Sequence, residues 1–361
     1  MAPVVLAMQR QRERFNPIVC VSGQHREMLD QVLKTFAIAP EYDLAVMVAN
    51  QTLAGLTAKV VEQTDVVLAA TKPDVVLVQG DTTTAFAAAL ASFYRNVPIG
   101  HVEAGLRTGD LRDPFPEEAN RILIDHLAQY HFAPTSMNRD ALIAEHVDEK
   151  RIFVTGNTGI DALLITRAKV ENRRPEDWAD AWGSALVSLQ RQACKLVLIT
   201  MHRRESFGDK LRGIFESIRA VAREHPEVEF IYPVHLNPHV GEPARAILGD
   251  AANVHLIAPL AYEPFVYLMN RAALIVTDSG GIQEEAPSLG KPVIVVRDRT
   301  ERQEALAAGT VKLGGTDPGK LVPMISDALT GGDATASENP YGDGNAASRI
   351  LSHLLKGFNR A

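Results

Sequence analysis

Two cysteines, Cys20 and Cys194, are all that the 361 residues contain. They lie far apart, each in or beside an apolar strand-like run, which excludes a disulfide framework and predicts two reduced thiols in the core. No pair of histidines or cysteines has metal-ligand spacing, so no metal and no cofactor is expected. Long hydrophobic runs are also absent, which excludes a membrane span. The opening "MAPVVLAMQRQRERF" sets its apolar run before its basic cluster, the reverse of a secretory signal, so the expected location is cytoplasmic. Blocks of like charge are missing: 37 basic residues face 44 acidic ones, a net charge of −7. That balance argues against nucleic acid or an anionic membrane as partner. No internal repeat or low-complexity tract occurs.

What is present is a long alternation of β-branched runs with amphipathic or Ala-rich segments, the pattern of βα units around parallel sheets. The chain is past the size at which one core stops growing, so two domains are expected. Strands are predicted at 17–22, 75–80, 97–104, 131–134 and 151–156, then at 195–201, 229–234, 254–259, 274–278 and 292–297. Between the series lies "KVENRRPEDWADAWGS" (169–184), polar, helix-prone and without strand character, the natural boundary. "TGGDATASENPYGDGNAAS" is rich in turn formers and leads into a terminal helix, "RILSHLLKGF". The start does not fit a doubly wound domain, which opens with a strand and a Gly-rich turn; "MAPVVLAMQRQ" already reads as the helix that should follow them.

Ligands of open α/β sheets bind beyond the carboxyl ends of the strands, so the residues just after each strand are the candidates. In "TDSGGIQEEAPSLGKPVIVV", Ser279, Gly280 and Gly281 let a backbone approach a phosphate, and a carboxylate one turn later, Glu284 or Glu285, can accept from a diol. A nucleotide diphosphate satisfies both features. The bland alternative is an N-cap followed by first-turn acids. Asp81 in "GDTTT" is either a site acid or a helix cap. Glu103 in "EAGLRTGD", flanked by His101 and Arg107, stands where an unpaired carboxylate is costly. Glu117, beside Glu118, opens a helix, and one of the two is expected to face the site. His202 in "HRRES" suits a phosphate leaving group or a structural ion-pair cluster. His235 reads as a turn histidine, Arg302 as a solvated helix start or a site cation, and "QHRE" (24–27) as surface or site.

The ordered blocks "QHREMLDQVL", "GDTTT", "GHVEAGLRTGD", "PEEANR", "TGNTGIDALL", "HRRESFG", "YPVHLNP", "TDSGGIQEEAPSLGKPV", "RDRTERQEA" and "NPYGDGNAASRI" resemble the non-hydrolysing UDP-N-acetylglucosamine 2-epimerases of bacteria. The resemblance implies an α/β fold of two Rossmann-like domains whose parallel sheets face a central cleft, the glycosyltransferase-B type. The implied domains are 1–167, completed by a returning helix at 346–361, and 168–345. It implies interconversion of UDP-GlcNAc and UDP-ManNAc by elimination and re-addition of UDP with inversion at C2, for surface polysaccharide synthesis, in a homodimer. Carried over, Asp81, Glu103, Glu117 and His202 are catalytic. Phe265, Ser279, Gly280, Gly281, Glu285 and Arg302 bind substrate. Gln24, His25, Arg203 and His235 match positions that hold a second, activating UDP-GlcNAc. The family's opening strand and Gly-Thr-Arg-Pro-Glu-Ala turn have no counterpart here, which suggests a late start or truncated record. Met201 replaces a small residue and is expected to narrow the cleft. The rival readings are an epimerase for a related UDP-sugar such as a diacetamido-uronate, a hydrolysing epimerase, a glycosyltransferase, and a truncated, non-catalytic nucleotide-sugar-binding protein.

Overall fold

The computed structural model describes residues 1–24, 26–48, 51–191, 194–331 and 338–358, the side chain of Glu27 apart. It divides into two compact units, one built from residues 1–162 and those from Tyr341 onward, the other from Leu163–Pro340. The division falls inside the helix Thr158–Val170, upstream of the polar segment 169–184.

In the first unit β1 (Cys20–Val21) and β2 (Tyr42–Asp43) form a parallel pair. A separate four-stranded sheet follows in the order β3 (Val76–Gln79), β4 (Ile99–Val102), β5 (Tyr130–Ala133) and β6 (Ile152–Val154), parallel throughout. Among the described residues β3 is hydrogen-bonded along one edge only. Threonines stop the chain from fraying where helices begin. Thr52 accepts from Gly55 N at 3.1 Å ahead of the helix Leu53–Thr71, and Thr82 from Ala85 N at 3.2 Å ahead of Thr83–Tyr94. The helices Ala2–Gln9 and Ala346–Phe358 lie together; Val4, Val102, Phe132, Ile350, Leu351 and Leu354 form one buried cluster. The last helix starts on Asp161, whose carboxylate accepts from Ala346 N (3.2 Å) and Ala347 N (2.9 Å), an N-cap supplied from the distant helix Thr158–Val170.

The second unit holds one six-stranded parallel sheet. Its strands are β7 (Lys195–Thr200), β8 (Val228–Pro233), β9 (Val254–Ile257), β10 (Leu274–Thr277), β11 (Val293–Val295) and β12 (Lys312–Leu313). The spatial order is β12-β11-β10-β7-β8-β9. The strand order reverses between β7 and β10, the topological switch point of a doubly wound fold, beyond whose strand ends ligands of such sheets bind. Both sides of the sheet are covered, so β7 and β10 run apolar without alternation, as parallel central strands do.

Every strand read from the sequence is present, and two were not read: β2 and β12, each two residues long. Two expectations need correction. The cysteines are not in the core. Cys20 is exposed and Cys194 half-buried, because β1 is too short to be covered on both faces and Cys194 precedes β7. Met201 narrows nothing; its side chain is buried in the apolar cluster of the second unit, beside Tyr232 and Val234. Among the described residues no helix is long and apolar enough to cross a membrane.

Candidate active site

The first unit gathers acids at the ends of β3 and β4. These strands pair with Gln79 opposite Val102, so Asp81 and Glu103 both follow the same ends of neighbouring strands. Asp81 is not the helix cap, a role taken by Thr82. Its carboxylate instead forms an ion pair with Arg121, while its carbonyl accepts from Asn120 Nδ2 at 2.9 Å. Arg121 also reaches Glu118 at 3.1 Å. Glu103 is half-buried and lies in the left-handed region at φ +68°. Gln79 Nε2 donates to its Oε2 at 3.3 Å, and Gln79 Oε1 in turn accepts from the Met1 amino group. The adjacent acids at the start of the helix Glu117–Leu127 differ in burial. Glu118 is fully buried and accepts from Thr108 N (2.9 Å) and Gly109 N (3.0 Å), whereas Glu117 is half-buried.

His101 and Arg107 do not pair with the Glu103 carboxylate. Both bind Asp125: His101 Nδ1 lies 2.6 Å from Oδ1, and Arg107 Nη2 lies 2.7 Å from Oδ2. Burial alone would raise the Asp125 carboxyl, but His101 and then Arg107 hold it well below the usual range. The sequence reading missed Asp125 and Arg121. The readable signal was the spacing of Glu118, Arg121 and Asp125, which puts three charged groups on one helix face that is otherwise buried.

In the second unit the residues beyond β7 and β10 meet. Asp278, nearly fully buried, accepts from His202 N (2.9 Å) and Arg203 N (2.9 Å), and lies 3.2 Å from His202 Nδ1. This orients the imidazole and turns its other nitrogen outward. Asp278 was also missed, although its place straight after a central strand marked it. His202 and His235 have ring centroids 6.2 Å apart, and His235 Nδ1 accepts from Asn237 N at 3.1 Å, the turn role expected of it. Ser279 caps nothing with its side chain; the following helix, Gly280–Glu285, starts without it. Gly280 has a steric reason: an added Cβ would stand 3.2 Å from the Arg302 guanidinium carbon. Arg302 is no solvated helix start, since its Nε donates to Glu284 Oε1 at 2.7 Å and its Nη1 lies 3.1 Å from Glu301. Arg203 also reaches Glu301, at 3.4 Å.

The two acids of "GIQEEA" therefore differ. Glu284 is buried and neutralised by Arg302. Burial and the charge of Glu284 push the Glu285 carboxyl up to about 8, and Glu285 in turn adds to the burial that raises Tyr262. Phe265 is half-buried on the helix Tyr262–Arg271. In the first unit Gln24 Oε1 accepts from Thr84 Oγ1 at 3.0 Å; His25 lies outside the described residues. Among the described residues no cluster of metal-ligating side chains occurs.

A family model described as UDP-N-acetylglucosamine 2-epimerase matches residues 7–355. A Yersinia pestis UDP-N-acetylglucosamine 2-epimerase is 54% identical over 359 residues, covering 98% of this chain and 94% of that protein. The crystal structure of the Neisseria meningitidis UDP-GlcNAc 2-epimerase bound to UDP-GlcNAc superposes with a TM-score of 0.86 at 45% identity, covering 99% of this chain and 96% of that one. The Methanocaldococcus jannaschii UDP-GlcNAc 2-epimerase in complex with UDP-GlcNAc and UDP gives a TM-score of 0.77 at 31% identity, covering 98% and 95%. None of these favours the rival readings, and the chain belongs to the UDP-N-acetylglucosamine 2-epimerase family.

Proposed function

We propose that this enzyme interconverts UDP-GlcNAc and UDP-ManNAc, with the chemistry carried by Asp81, Glu103 and Glu117 and the leaving UDP stabilised by His202. The C2 proton of the sugar is poorly acidic until the C1–O bond weakens. One carboxylate removes it as the C1–O bond breaks, leaving a 2-acetamidoglucal and UDP. A second group then delivers a proton to the opposite face of C2 while UDP re-adds at C1, so atoms and charge balance and only the configuration changes. Stabilising the departing diphosphate is the larger electrostatic demand. Ser279, Gly280 and Gly281 with His202 meet it at the switch point, with Glu285 accepting from the ribose and Phe265 and Arg302 completing the substrate contacts.

The observation that carries the reading is that Asp81 and Glu103 leave the same ends of the neighbouring strands β3 and β4, with neither used as a helix cap. The same reading makes Gln24, His25, Arg203 and His235 an activating site for a second UDP-GlcNAc. It takes the enzyme as a cytoplasmic homodimer supplying ManNAc units to surface polysaccharide. Proton NMR in heavy water with UDP-GlcNAc tests it: UDP-ManNAc should accumulate with deuterium at C2. Asp81→Asn, Glu103→Gln and Glu117→Gln should each cut turnover by about 10²-fold or more. Normal turnover in all three would remove the assignment.

A further inference from the structure

His101 is fully buried, and both of its ring nitrogens face acceptors. Nδ1 lies 2.6 Å from Asp125 Oδ1, and Nε2 lies 2.8 Å from the carbonyl oxygen of Gly80. A carbonyl can only accept. Asp125 is kept ionised by Arg107 at 2.7 Å and by Gly105 N at 3.3 Å, both donors to its second oxygen. Each ring nitrogen therefore carries its proton, and the side chain is an imidazolium sealed from water. The charged groups around it are Asp125 from the helix Glu117–Leu127 and Glu103 and Arg107 from the segment after β4; the other titratable neighbour is His131 from β5, whose Nε2 lies 2.8 Å from the Asp125 carbonyl and which burial shifts towards the neutral form.

A permanent buried charge is expensive, and a neutral pair of the same shape would hold the sheet as well. The placement of this one points to another use. Asp125 grips the chain at residue 101, at the Gly105 amide and at Arg107, so it brackets Glu103 from both sides. Glu103 itself is in the left-handed region, a conformation that strains a non-glycine residue and persists only where its surroundings over-determine it. The Gly80 carbonyl that receives Nε2 belongs to a residue that borders the Glu103 carboxylate: a Cβ built on Gly80 would stand 3.7 Å from Glu103 Oε2.

We propose that His101, as an imidazolium clamped between Asp125 and the Gly80 carbonyl, is a positioning residue that holds the strained backbone of Glu103 and so aims its carboxylate at the substrate. This rests on the role given to Glu103 above. His101 does not touch the substrate; it acts through Glu103.

A double-mutant cycle separates this from a structural role. His101→Gln should lower kcat for UDP-GlcNAc by about 10²-fold, the cost of misplacing a catalytic group by about 1 Å, with KM within about twofold. In a Glu103→Gln background the same substitution should cost almost nothing further, because the group it aims is gone. Additive losses, or a kcat loss that tracks the folded fraction, would overturn the proposal. Should His101→Gln not fold, the double variant His101→Gln/Asp125→Asn removes both charges together and enters the same cycle. Nitrogen NMR of the histidine rings provides a readout independent of turnover: both His101 nitrogens should stay protonated as pH rises past the point where an exposed histidine loses its second proton, and a singly protonated ring there would overturn the clamp. A wild-type enzyme that yields no epimer while keeping the doubly protonated ring would count against the function of the site and leave the clamp standing.

Discussion

Glu285 is a carboxylate that the fold would rather protonate. Its acidity is shifted from 4.5 to about 8 by burial and by the neighbouring charge of Glu284. The sign follows from linkage: the folded chain binds this proton more tightly than the unfolded chain, so the associated stability is complete below about pH 4.5 and is lost as pH rises through about 8. Glu285→Gln should therefore melt higher than the wild type, by a margin that widens between pH 5 and 8 and then levels off. The same variant should bind UDP more weakly by calorimetry. A constant melting difference across that range would show that the carboxyl is not buried in this way. The sequence displayed two adjacent acids and could not divide them, because the division depends on Arg302, which is distant along the chain and adjacent in space. The same limit hid the true partner of His101 and Arg107. Sequence proximity suggested Glu103, and the fold supplied Asp125 from a later helix.

At the scale of elements, the turn after β4 is the tightest piece of construction. Glu103 and Gly105 both have positive φ, and a Cβ at Gly105 would lie 2.2 Å from the Asn138 carbonyl oxygen, backbone that cannot swing aside. Asn138 also closes a capping box with Thr135 at the start of the helix Ser136–Ala144, so it is itself fixed. Gly105→Ala should destabilise the first unit by several kcal/mol and abolish turnover. A soluble variant with unchanged melting would mean that the turn is far more compliant than its contacts suggest. Elements of this kind were readable where they repeat a pattern. The β-branched runs that became β3, β7 and β10 are long enough to show one, whereas Tyr42–Asp43 and Lys312–Leu313 hold two residues each and are defined only by the strand beside them. Helix beginnings were legible for the same reason of local chemistry, although the choice of Thr82 over Asp81 as cap was not.

Across the whole molecule, the chain is written as one unit interrupted by another. Leu163–Pro340 is continuous in sequence and carries a complete doubly wound sheet with its own apolar core around Val197, Ile199, Phe215 and Val276. A fragment of these residues should fold alone and bind UDP, measured by calorimetry, without exchanging the C2 proton, since Asp81, Glu103 and Glu117 all lie outside it. A fragment that stays unfolded would show that the second core depends on the first. Two strand series with a polar interval were visible in the sequence. The position of the division inside the helix Thr158–Val170 was not, since an unbroken helix gives no local sign that its two ends serve different cores.

The helix Ala346–Phe358 begins on the carboxylate of Asp161, and its apolar face fills the cluster around Val102 and Phe132. During synthesis this sets an order. The second unit is complete, and free to fold, while the first still waits for a helix that has not yet left the ribosome. The acids of the first unit are therefore assembled last, on a domain whose sequence began first, and a chain cut short before Leu351 would lose part of the core next to Glu103 while keeping the second unit intact.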